Sequence, residues 1–411
     1  MTRADLGPTP ADRRARAAVA ALFLTNGALF ANLIPRYPEI KADLQISNAT
    51  YGLAVAAFPA GAIAAGLAAG VLIRRFGSAR VAVAGTVLTS IGVLTAGLAP
   101  SLVLLVLALF AGGAMDAITD VAQNAHGLRV QRRYGRSILN SFHAVWSVGA
   151  VLGGSMAAAA IALDMPRGMH LGISAALFSV VALVALRYCL PGLDGADDEA
   201  GAVSQGVVST VGRGRTAFVL AALVLVAVAG TLVEDAGNSW AAVYLSGNLG
   251  AVAAIAATGY IALTGAQFIG RLLGDRFVDR FGQRAVARAG GALVAGGMGL
   301  ALAFPSIPGT IAGFACAGFG VATLVPAAMD AADRLPGLRA GTGLTAVSWL
   351  MRLGFLLSPP VVGLVADASS LRAGLLVVPI AGLVVVLVAG VLSGRPAAVR
   401  TPQPESAIMN A

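Results

Sequence analysis

The chain has 411 residues, of which 58% are hydrophobic and only 11% are charged, and its mean hydropathy is +0.84. Soluble globular proteins carry about 25% charged residues, so a lipid bilayer is the expected solvent for much of this chain. The net charge of +9 could also suit a nucleic-acid-binding protein. The excess is almost all arginine placed between apolar runs, which membrane topology explains better, so we expect no nucleic-acid partner.

Twelve apolar runs are long enough to cross a bilayer as helices, which takes about 20 residues each. The first run follows a basic stretch like that of a signal peptide, but it is long and no clear cleavage site precedes polar sequence, so it is predicted to be retained. The sequence therefore predicts an all-α integral membrane protein with 12 transmembrane helices and both termini on one side. The predicted helices are 17–36, 50–73, 80–99, 102–126, 138–161, 168–189, 216–236, 251–273, 285–304, 308–330, 341–365 and 371–393.

The basic residues indicate which side of the membrane carries the termini. Of the 28 basic residues, 23 lie in or beside the termini and the even-numbered loops, Arg271 among them, and Arg352 belongs to neither face. The other face has four, at positions 36, 41, 167 and 372. Because basic loops stay in the cytoplasm, we predict a multi-pass protein of the inner, or cytoplasmic, membrane with both termini cytoplasmic.

The longest hydrophilic stretch, 190–215, divides the twelve helices into two groups of six. It is acidic at first and then rich in Gly and Ser, which is typical of a flexible linker. The predicted domains are a six-helix bundle at 1–189, this cytoplasmic linker, a second six-helix bundle at 216–393 and a cytoplasmic tail at 394–411.

Motifs of enzymatic chemistry are missing from the sequence. It contains no H-E-x-x-H, no Walker motif and no nucleophile elbow, so we expect neither an enzyme nor a bound cofactor. Cys189 and Cys316 each lie in an apolar run, which indicates neither a disulfide framework nor a metal site.

The two halves of the chain share a repeat. The segment "LIRRFGSARVAVAG" at 72–85 aligns with "FVDRFGQRAVARAG" at 277–290, an offset of 205 residues that also pairs Gly149 with Gly354. Two six-helix halves repeated in parallel are typical of a transporter architecture whose substrate site lies near the midplane between them.

The twelve helices, the central loop and a basic loop after helices 2 and 8 resemble the major facilitator superfamily (MFS). The family's loop motif is roughly G-x-L-x-D-R-x-G-R-R, and the first copy here departs from it because Arg74 occupies the acidic position. The stretches "NSFHAVWSVGAVLGG", "EDAGNSWAAVYL" and "GRLLGDRFVDRFG" further resemble the YbjJ-like bacterial inner-membrane branch. The resemblance implies a cytoplasmic gate motif formed by Gly70, Arg75, Gly77, Arg80, Asp279, Arg280, Gly282 and Arg284.

Polar side chains inside the predicted helices are the candidates for function, since an ionised group there costs about 3 kcal/mol to insert. In helix 1, Asn26 and Asn32 either line the cavity or form hydrogen bonds between helices. In helix 4, Asp116 lies deep and Asp120 lies one turn nearer the cytoplasm. Helix 4 lines the central cavity in the superfamily, so Asp116 is expected to couple a proton or bind the substrate.

Asp120 has a different expected role. It is level with the basic loop, and an ion pair with Arg75 or Arg80 would stabilise a closed cytoplasmic gate. In helix 5, His143 has Trp146 as its aromatic neighbour. His143 is expected to relay protons or contact the substrate, and the alternative is a structural hydrogen bond to helix 4.

The second half carries its own candidates. Glu234, Asp235, Asn238 and Trp240 near the outer end of helix 7 form either an external gate or vestibule, or an interfacial cap with aromatic anchors. Gln267 in helix 8 is either a cavity residue or an interhelical hydrogen-bond partner.

Two further charged residues complete the set. Arg352 in helix 11 needs a carboxylate or an anionic substrate as its partner, and Asp116 lies at a similar depth. The alternative is an ion pair internal to the second bundle. Asp330 at the end of helix 10 is expected to pair with Arg280 or Arg284 in the gate.

The sequence thus predicts a secondary active transporter that moves a small solute by alternating access and is coupled to protons. The alternatives are a drug or metabolite exporter working by proton antiport, and a non-transporting membrane sensor on the same scaffold. The expected partners are a small molecule (a sugar, an organic acid or a drug-like compound), protons and the lipid bilayer, and the chain is expected to be monomeric.

Overall fold

A computed structural model describes residues 8–66, 68–135, 138–193, 213–336, 338 and 342–392. This part of the chain contains 12 helices long and apolar enough to cross a membrane, as predicted. Most of the predicted linker and the whole predicted tail lie outside the described residues. The helices are α1 (Pro10–Asp43), α2 (Asn48–Ala65), α3 (Ser78–Gly97), α4 (Leu102–Tyr134), α5 (Ser141–Ala162), α6 (Arg167–Leu186), α7 (Gly214–Gly247), α8 (Ala253–Phe281), α9 (Gln283–Ala303), α10 (Ile307–Asp333), α11 (Thr342–Ala368) and α12 (Leu371–Val391).

Besides α1, which is segmented, three helices run well beyond the ends that the apolar pattern predicts. The helices α4, α7 and α8 have 33, 34 and 29 residues, so at 1.5 Å per residue each is about 45–50 Å long and exceeds a hydrocarbon core of about 30 Å. The extra turns of α4 and α8 are rich in charged residues, whereas the last turns of α7 are packed inside the protein, where Trp240 and Leu245 are fully buried. The first of these extensions ends at Gly135, whose φ of 68° is in the left-handed region that glycine favours at a helix C-terminus.

Prolines interrupt two of the helices. In α2 the helix breaks at Ala56 between Asn48–Val55 and Ala57–Ala65, because Pro59 has no N–H to donate to the carbonyl four residues earlier. In α10 the helix breaks between Ile307–Val321 and Leu324–Asp333, ahead of Pro326.

Other helices are built from shorter segments. The span α1 consists of Pro10–Ala31, a 3-10 turn at Ile34–Arg36 and Tyr37–Asp43, and α2 is followed by a further helix at Ala68–Phe76. The span α11 consists of Thr342–Leu350 and Arg352–Ala368, and α12 of Leu371–Gly374, Val377–Val388 and a 3-10 turn at Ala389–Val391.

The sequence repeat is also a structural repeat. Gly77 between α2 and α3 and Gly282 between α8 and α9 have φ values of 85° and 83°, so both loop motifs use the same glycine conformation. Gly149 and Gly354 permit the same close approach in each half, α5 to α1 and α11 to α7. A Cβ atom would lie 2.2 Å from the carbonyl oxygen of Leu24 in the first case and 2.1 Å from Thr231 Oγ1 in the second.

The two halves meet through α2 against α11 and through α5 against α8, which is the symmetric pairing that the repeat requires. We call the end of the bundle that carries the α1–α2 and α11–α12 connections the distal end. The opposite end, at which α1 begins and α12 finishes, is called the terminal end.

At the distal end the halves are in direct contact. The Asp367 carboxylate of α11 accepts hydrogen bonds from the Asn48 and Ala49 backbone N–H groups at 3.0 and 2.8 Å, and from Asn48 Nδ2 at 2.9 Å. It thereby caps the N-terminus of α2 with a negative charge. A Cβ atom on Gly52 would lie 2.2 Å from the Pro359 carbonyl oxygen, so α2 and α11 touch backbone to backbone. These residues, with Gly363, are the distal contact.

Candidate functional site

A cavity of about 260 Å³ lies between the two halves and is lined by both of them. The first half contributes residues from α1, α2, α4 and α5, and the second half contributes residues from α7, α8 and α11. Six of the ten predicted substrate or proton-coupling residues line it, namely Asn26, Asp116, Trp146, Glu234, Asp235 and Arg352.

On the side of the first half, Asp116 is held by a hydrogen-bond chain. Asn26 Nδ2 donates to Asp116 Oδ1 at 2.7 Å, and Trp146 Nε1 donates to Asn26 Oδ1 at 2.8 Å. The contact between α1 and α5 depends on Gly27, where a Cβ atom would lie 2.2 Å from the Trp146 carbonyl oxygen. Asn26 therefore orients the carboxylate with a neutral donor and is itself oriented by the indole.

On the side of the second half, Glu234 is bound by α8. Gln267 Nε2 donates to Glu234 Oε2 at 2.7 Å, and Arg271 lies 3.9 Å from the same oxygen. Gln267 does not line the cavity but acts through Glu234. Arg271 was counted with the basic residues of the following loop, but it lies within α8 one turn after Gln267, inside the predicted helix 251–273, and interacts with a cavity residue.

Next along α7, Asp235 is buried and faces hydroxyl groups. Ser239 Oγ donates to Asp235 Oδ2 at 3.4 Å, and the carboxylate interacts electrostatically with the buried tyrosines Tyr37 and Tyr51. Asn238 and Ser239 line the cavity beside it. Asp235 is thus a cavity residue.

Arg352 lines the cavity at the point where α11 is interrupted. The Met351 carbonyl oxygen at this break accepts a hydrogen bond from Thr231 Oγ1 at 2.8 Å, which ties α11 to α7. Across the described residues there is no ion pair between Arg352 and Asp116, although both side chains line the same cavity. Arg352 interacts electrostatically with Asp120, which lies one helical turn from Asp116. Among the described contacts, the predicted pairing of Arg352 with Asp116 is therefore not found.

Asp120 differs from its prediction. Its side chain accepts hydrogen bonds from Asn124 Nδ2 at 3.0 Å and Gln123 Nε2 at 3.4 Å, and it interacts electrostatically with His143 as well as with Arg352. The expected ion pair with Arg75 or Arg80 is not present among the described contacts. Asp120 lies one turn after Asp116, towards the terminal end. Its hydrogen-bond partners Gln123 and Asn124 lie on the same helix in the next turn.

His143 lies on the terminal side of the cavity without lining it. Its side chain is exposed, packs edge-on against Phe23 at 5.2 Å between ring centroids, and interacts electrostatically with Asp120 and Arg271. His143 thus lies between a charged residue of each half, and its proton-relay role stays a prediction.

Two candidates lie away from the cavity. Asn32 is fully buried, and its side chain bonds to His170 Nε2 and to the Ala28 carbonyl oxygen, both at 2.8 Å. Asn32 therefore forms an interhelical hydrogen bond between α1 and α6, which was the alternative to a place in the cavity wall. Trp240 is also fully buried and packs edge-on against Tyr51 at 4.9 Å, so it stabilises the contact between the halves and does not line the cavity.

The gate motif residues take matched positions in the two halves. The Arg75 and Arg280 guanidinium groups lie over the rings of Phe76 and Phe281, at 5.2 and 5.4 Å from the ring centroids. Of the rest of the motif, Arg80 and Asp279 are exposed, and Gly70 lies in the helix after α2. These positions leave the gate role of the motif a prediction.

The expected ion pairs of Asp330 are not the ones observed. Asp330 pairs with Arg334 at 2.5 Å and accepts a hydrogen bond from Gln283 Nε2 at 2.7 Å. Arg284 donates instead to the Leu392 carbonyl oxygen at 3.1 Å. The short i,i+4 spacing within one helix favours Arg334 as the partner.

Aromatic cavity walls were not predicted from the sequence. Phe30 and Phe58 are stacked with ring centroids 3.9 Å apart, and Tyr37, Tyr260 and Phe355 also line the cavity. No polar signal marks such residues, since an aromatic side chain in an apolar run faces lipid, core or cavity with equal ease. Arg271 could have been found, because it follows Gln267 at the i,i+4 spacing that places both on one helix face.

Comparisons with known proteins agree with this architecture. The family model of the Major Facilitator Superfamily matches residues 19–276 and 235–408. The uncharacterized transporter y4wD of Sinorhizobium fredii is 32% identical over 367 residues, covering 88% of this chain and 93% of that protein. The membrane protein MosC of Rhizobium meliloti is 30% identical over 363 residues, covering 88% of this chain and 86% of that protein. These matches do not confirm the narrower resemblance to the YbjJ-like branch.

Solved transporters share the fold. The nucleoside transporter NupG superposes with a TM-score of 0.71 at 14% identity, covering 93% of this chain and 98% of its own. A D-xylose-proton symporter superposes with a TM-score of 0.68 at 17% identity, covering 94% of this chain and 98% of its own. At these identities the likeness concerns the fold alone. With twelve helices, two repeated halves and a cavity between them, and with the family model matching most of its length, the chain belongs to the Major Facilitator Superfamily of membrane transporters.

Proposed function

We propose that this protein is a secondary active transporter that moves a small solute by alternating access and couples that movement to protons through Asp116. The observation that carries the proposal is the central cavity, which both halves line and in which Asp116 faces charged residues of the second half. In this proposal the protein works as a monomer, and the terminal end faces the cytoplasm, in keeping with the distribution of basic residues.

The closed distal contact supports alternating access. The halves touch at the distal end through α2 and α11, whereas the exposed side chains of His143 and Arg271 lie on the terminal side of the cavity. A solute would therefore enter or leave this conformation through the terminal end. Opening the other way requires the distal contact to break and the terminal ends of the two halves to approach each other.

The surroundings of Asp116 suit a group that gains and loses a proton. Its hydrogen-bond partner, Asn26, is neutral, and within the described residues no cation lies within ion-pair distance. Protonation of Asp116 would thus break no ion pair, and it would leave the bond that Asn26 Nδ2 donates intact. Glu234 is different, because its oxygen lies 3.9 Å from Arg271 and protonation would remove that attraction.

Transport by the full-length protein in liposomes tests the proposal. A thermal-shift screen of sugars, organic acids and organic amines would first identify a stabilising compound. We then expect a pH gradient to drive its accumulation, with the dye pyranine inside the vesicles reporting proton movement. In Asp116→Asn, gradient-driven accumulation should fall to background while exchange of labelled for unlabelled solute continues.

The matched control is Asp164→Asn, which neutralises an exposed carboxylate outside the cavity and should transport as the unsubstituted protein does. Proton-driven accumulation that survives in Asp116→Asn would remove Asp116 from the coupling step. The direction of proton movement relative to the solute separates symport from the antiport alternative.

A further inference from the structure

We propose that the distal side of the cavity is a recognition subsite for the ammonium group of a small organic cation, with Asp235 as its counter-charge and with Asn238 and Tyr37 as its neutral partners. The inference rests on the proposed function, because it names the substrate class of the same cavity.

The first step concerns the charges of the cavity lining. Glu234 has Gln267 and Arg271 as partners, and Asp116 has Asn26. Asp235 is buried, its hydrogen-bond partners are the hydroxyl groups of Ser239 (at 3.4 Å) and Ser358, and in the described part of the chain no basic side chain lies within ion-pair distance of it. Two neutral hydroxyl donors satisfy part of the acceptor capacity of a carboxylate but do not compensate its buried negative charge. A cationic ligand would supply that compensation.

The second step concerns polar atoms that lack a protein partner. Tyr37 lines the cavity and is 2% exposed, and neither its hydroxyl group nor Asn238 Oδ1 has a hydrogen-bond partner among the described residues. Burying such atoms without a partner costs free energy. Asn238 Oδ1 and the Asp235 carboxylate are acceptors, and the tyrosine oxygen can accept as well. An ammonium group has three N–H donors and no acceptor, so it matches this set.

The third step concerns the walls. Phe30, Phe58, Tyr37 and Tyr260 give the same side of the cavity aromatic surfaces, on which an apolar or ring-shaped ligand body can pack. Aromatic faces also attract cations directly. An anion would be poorly matched, since the lining contains three carboxylates and a single arginine, and that arginine already interacts with Asp120.

Three probes with the same aromatic body but different head groups test the subsite. They are 2-phenylethylamine as the cation, 2-phenylethanol as its neutral counterpart and phenylacetate as the anion. Isothermal titration of the purified full-length protein in detergent at neutral pH would measure each dissociation constant. We expect the amine to bind at least tenfold more tightly than the alcohol, and phenylacetate to bind more weakly than both.

Substitutions then locate the preference. In Asp235→Asn the amine should lose at least tenfold in affinity, so that amine and alcohol bind about equally. Adding Asn238→Asp to that variant returns a carboxylate three residues along the same helix face and should restore the preference for the amine. Asp164→Asn is the matched control and should bind all three probes unchanged. Size-exclusion elution and the melting temperature would verify that each variant is folded, and Asn238→Asp alone should strengthen amine binding.

Several results would overturn the subsite. If the alcohol binds more tightly than the amine, the cavity has a polyol-type site, and if phenylacetate binds more tightly than the amine, Arg352 controls recognition. No measurable amine binding, or an amine preference that persists in Asp235→Asn, would also overturn the proposal. The titration uses no proton gradient, so its failure is separate from that of the proposed function. A protein that prefers the alcohol but shows Asp116-dependent transport would refute only the subsite, and an amine preference without proton coupling would refute only the coupling.

Discussion

The two ends of the molecule are built from the same two halves but with opposite kinds of contact. At the distal end, glycine backbones bring α2 and α11 together, and Asp367 caps a helix across the boundary between the halves. At the terminal end, Arg75 and Arg280 each lie over a phenylalanine of their own half, and His143 and Arg271 are exposed. This difference indicates that closure at the distal end depends on close backbone packing and one helix cap. The terminal end instead carries exposed charged side chains that can change partners.

The loop motif fits this contrast. Its first copy has Arg74 where the family pattern has an acidic residue, so the first half offers no carboxylate at that position for closing the terminal end. The second copy retains Asp279, which is exposed. We therefore expect the distal contact to set the balance between the two conformations, and the following predictions test that expectation from the largest effect to the smallest.

The largest effect is expected from Gly52→Leu. A Cβ atom at this position would lie 2.2 Å from the Pro359 carbonyl oxygen, so the side chain must force α2 and α11 apart. Overpacking of this kind costs about 1–3 kcal/mol. The melting temperature should fall, and a cysteine placed at Asn238 should become reactive to a membrane-impermeant maleimide added from the distal side.

The control for that variant is Gly172→Leu on α6, where a Cβ atom meets nothing within 4 Å. Its melting temperature and its labelling should both stay at the starting values. If Gly52→Leu labels no faster than this control, the backbone contact does not hold the distal end closed.

A smaller effect is expected from Asp367→Asn. The substitution keeps the size of the side chain but removes the negative charge from the N-terminus of α2, and such a charge contributes about 0.3–1 kcal/mol. Distal labelling of the cysteine at Asn238 should therefore rise about two- to fivefold, without a large loss of the folded protein. Unchanged labelling would mean that the cap is not part of the closure.

The smallest effect is expected at the terminal end. Arg75→Ala and Arg280→Ala remove exposed contacts with Phe76 and Phe281, and such cation–π contacts contribute about 0.5–1 kcal/mol. Thermal unfolding should change little, and distal labelling should not increase in either variant. An increase comparable to that of Asp367→Asn would show that the two ends are not as different as the structure indicates.

Much of the fold could be predicted from the sequence because the bilayer imposes a simple rule. Long apolar runs become helices, so the number and order of helices followed directly, and the repeat centred on Gly77 and Gly282 predicted equivalent loops. The ends of α4 and α8 were missed because polar residues continue a helix beyond the lipid, where hydropathy carries no signal.

The candidate site was predictable in position but not in contacts. Asp116, Asn26 and Arg352 were each identified because a polar group inside a membrane is costly, and each lines the cavity. Which of them touch depends on how α1, α4 and α11 pack, and a single sequence carries no information on that. Asp116 therefore bonds to Asn26 and not to Arg352. Asn32 was an equally good candidate for the cavity wall by sequence, but its side chain joins α1 to α6.

Distances at the two ends, measured in one preparation, test the central claim most directly. Spin labels would be attached to the exposed positions Gln45 and Ser369 at the distal end and, in a second sample, to Arg80 and Ala285 at the terminal end. Double electron–electron resonance spectroscopy in lipid nanodiscs would record both distance distributions as the pH is changed and as a solute that binds is added. Alternating access predicts opposite changes, with the distal pair lengthening as the terminal pair shortens. Distributions that stay fixed under all conditions, or that lengthen together, would contradict it.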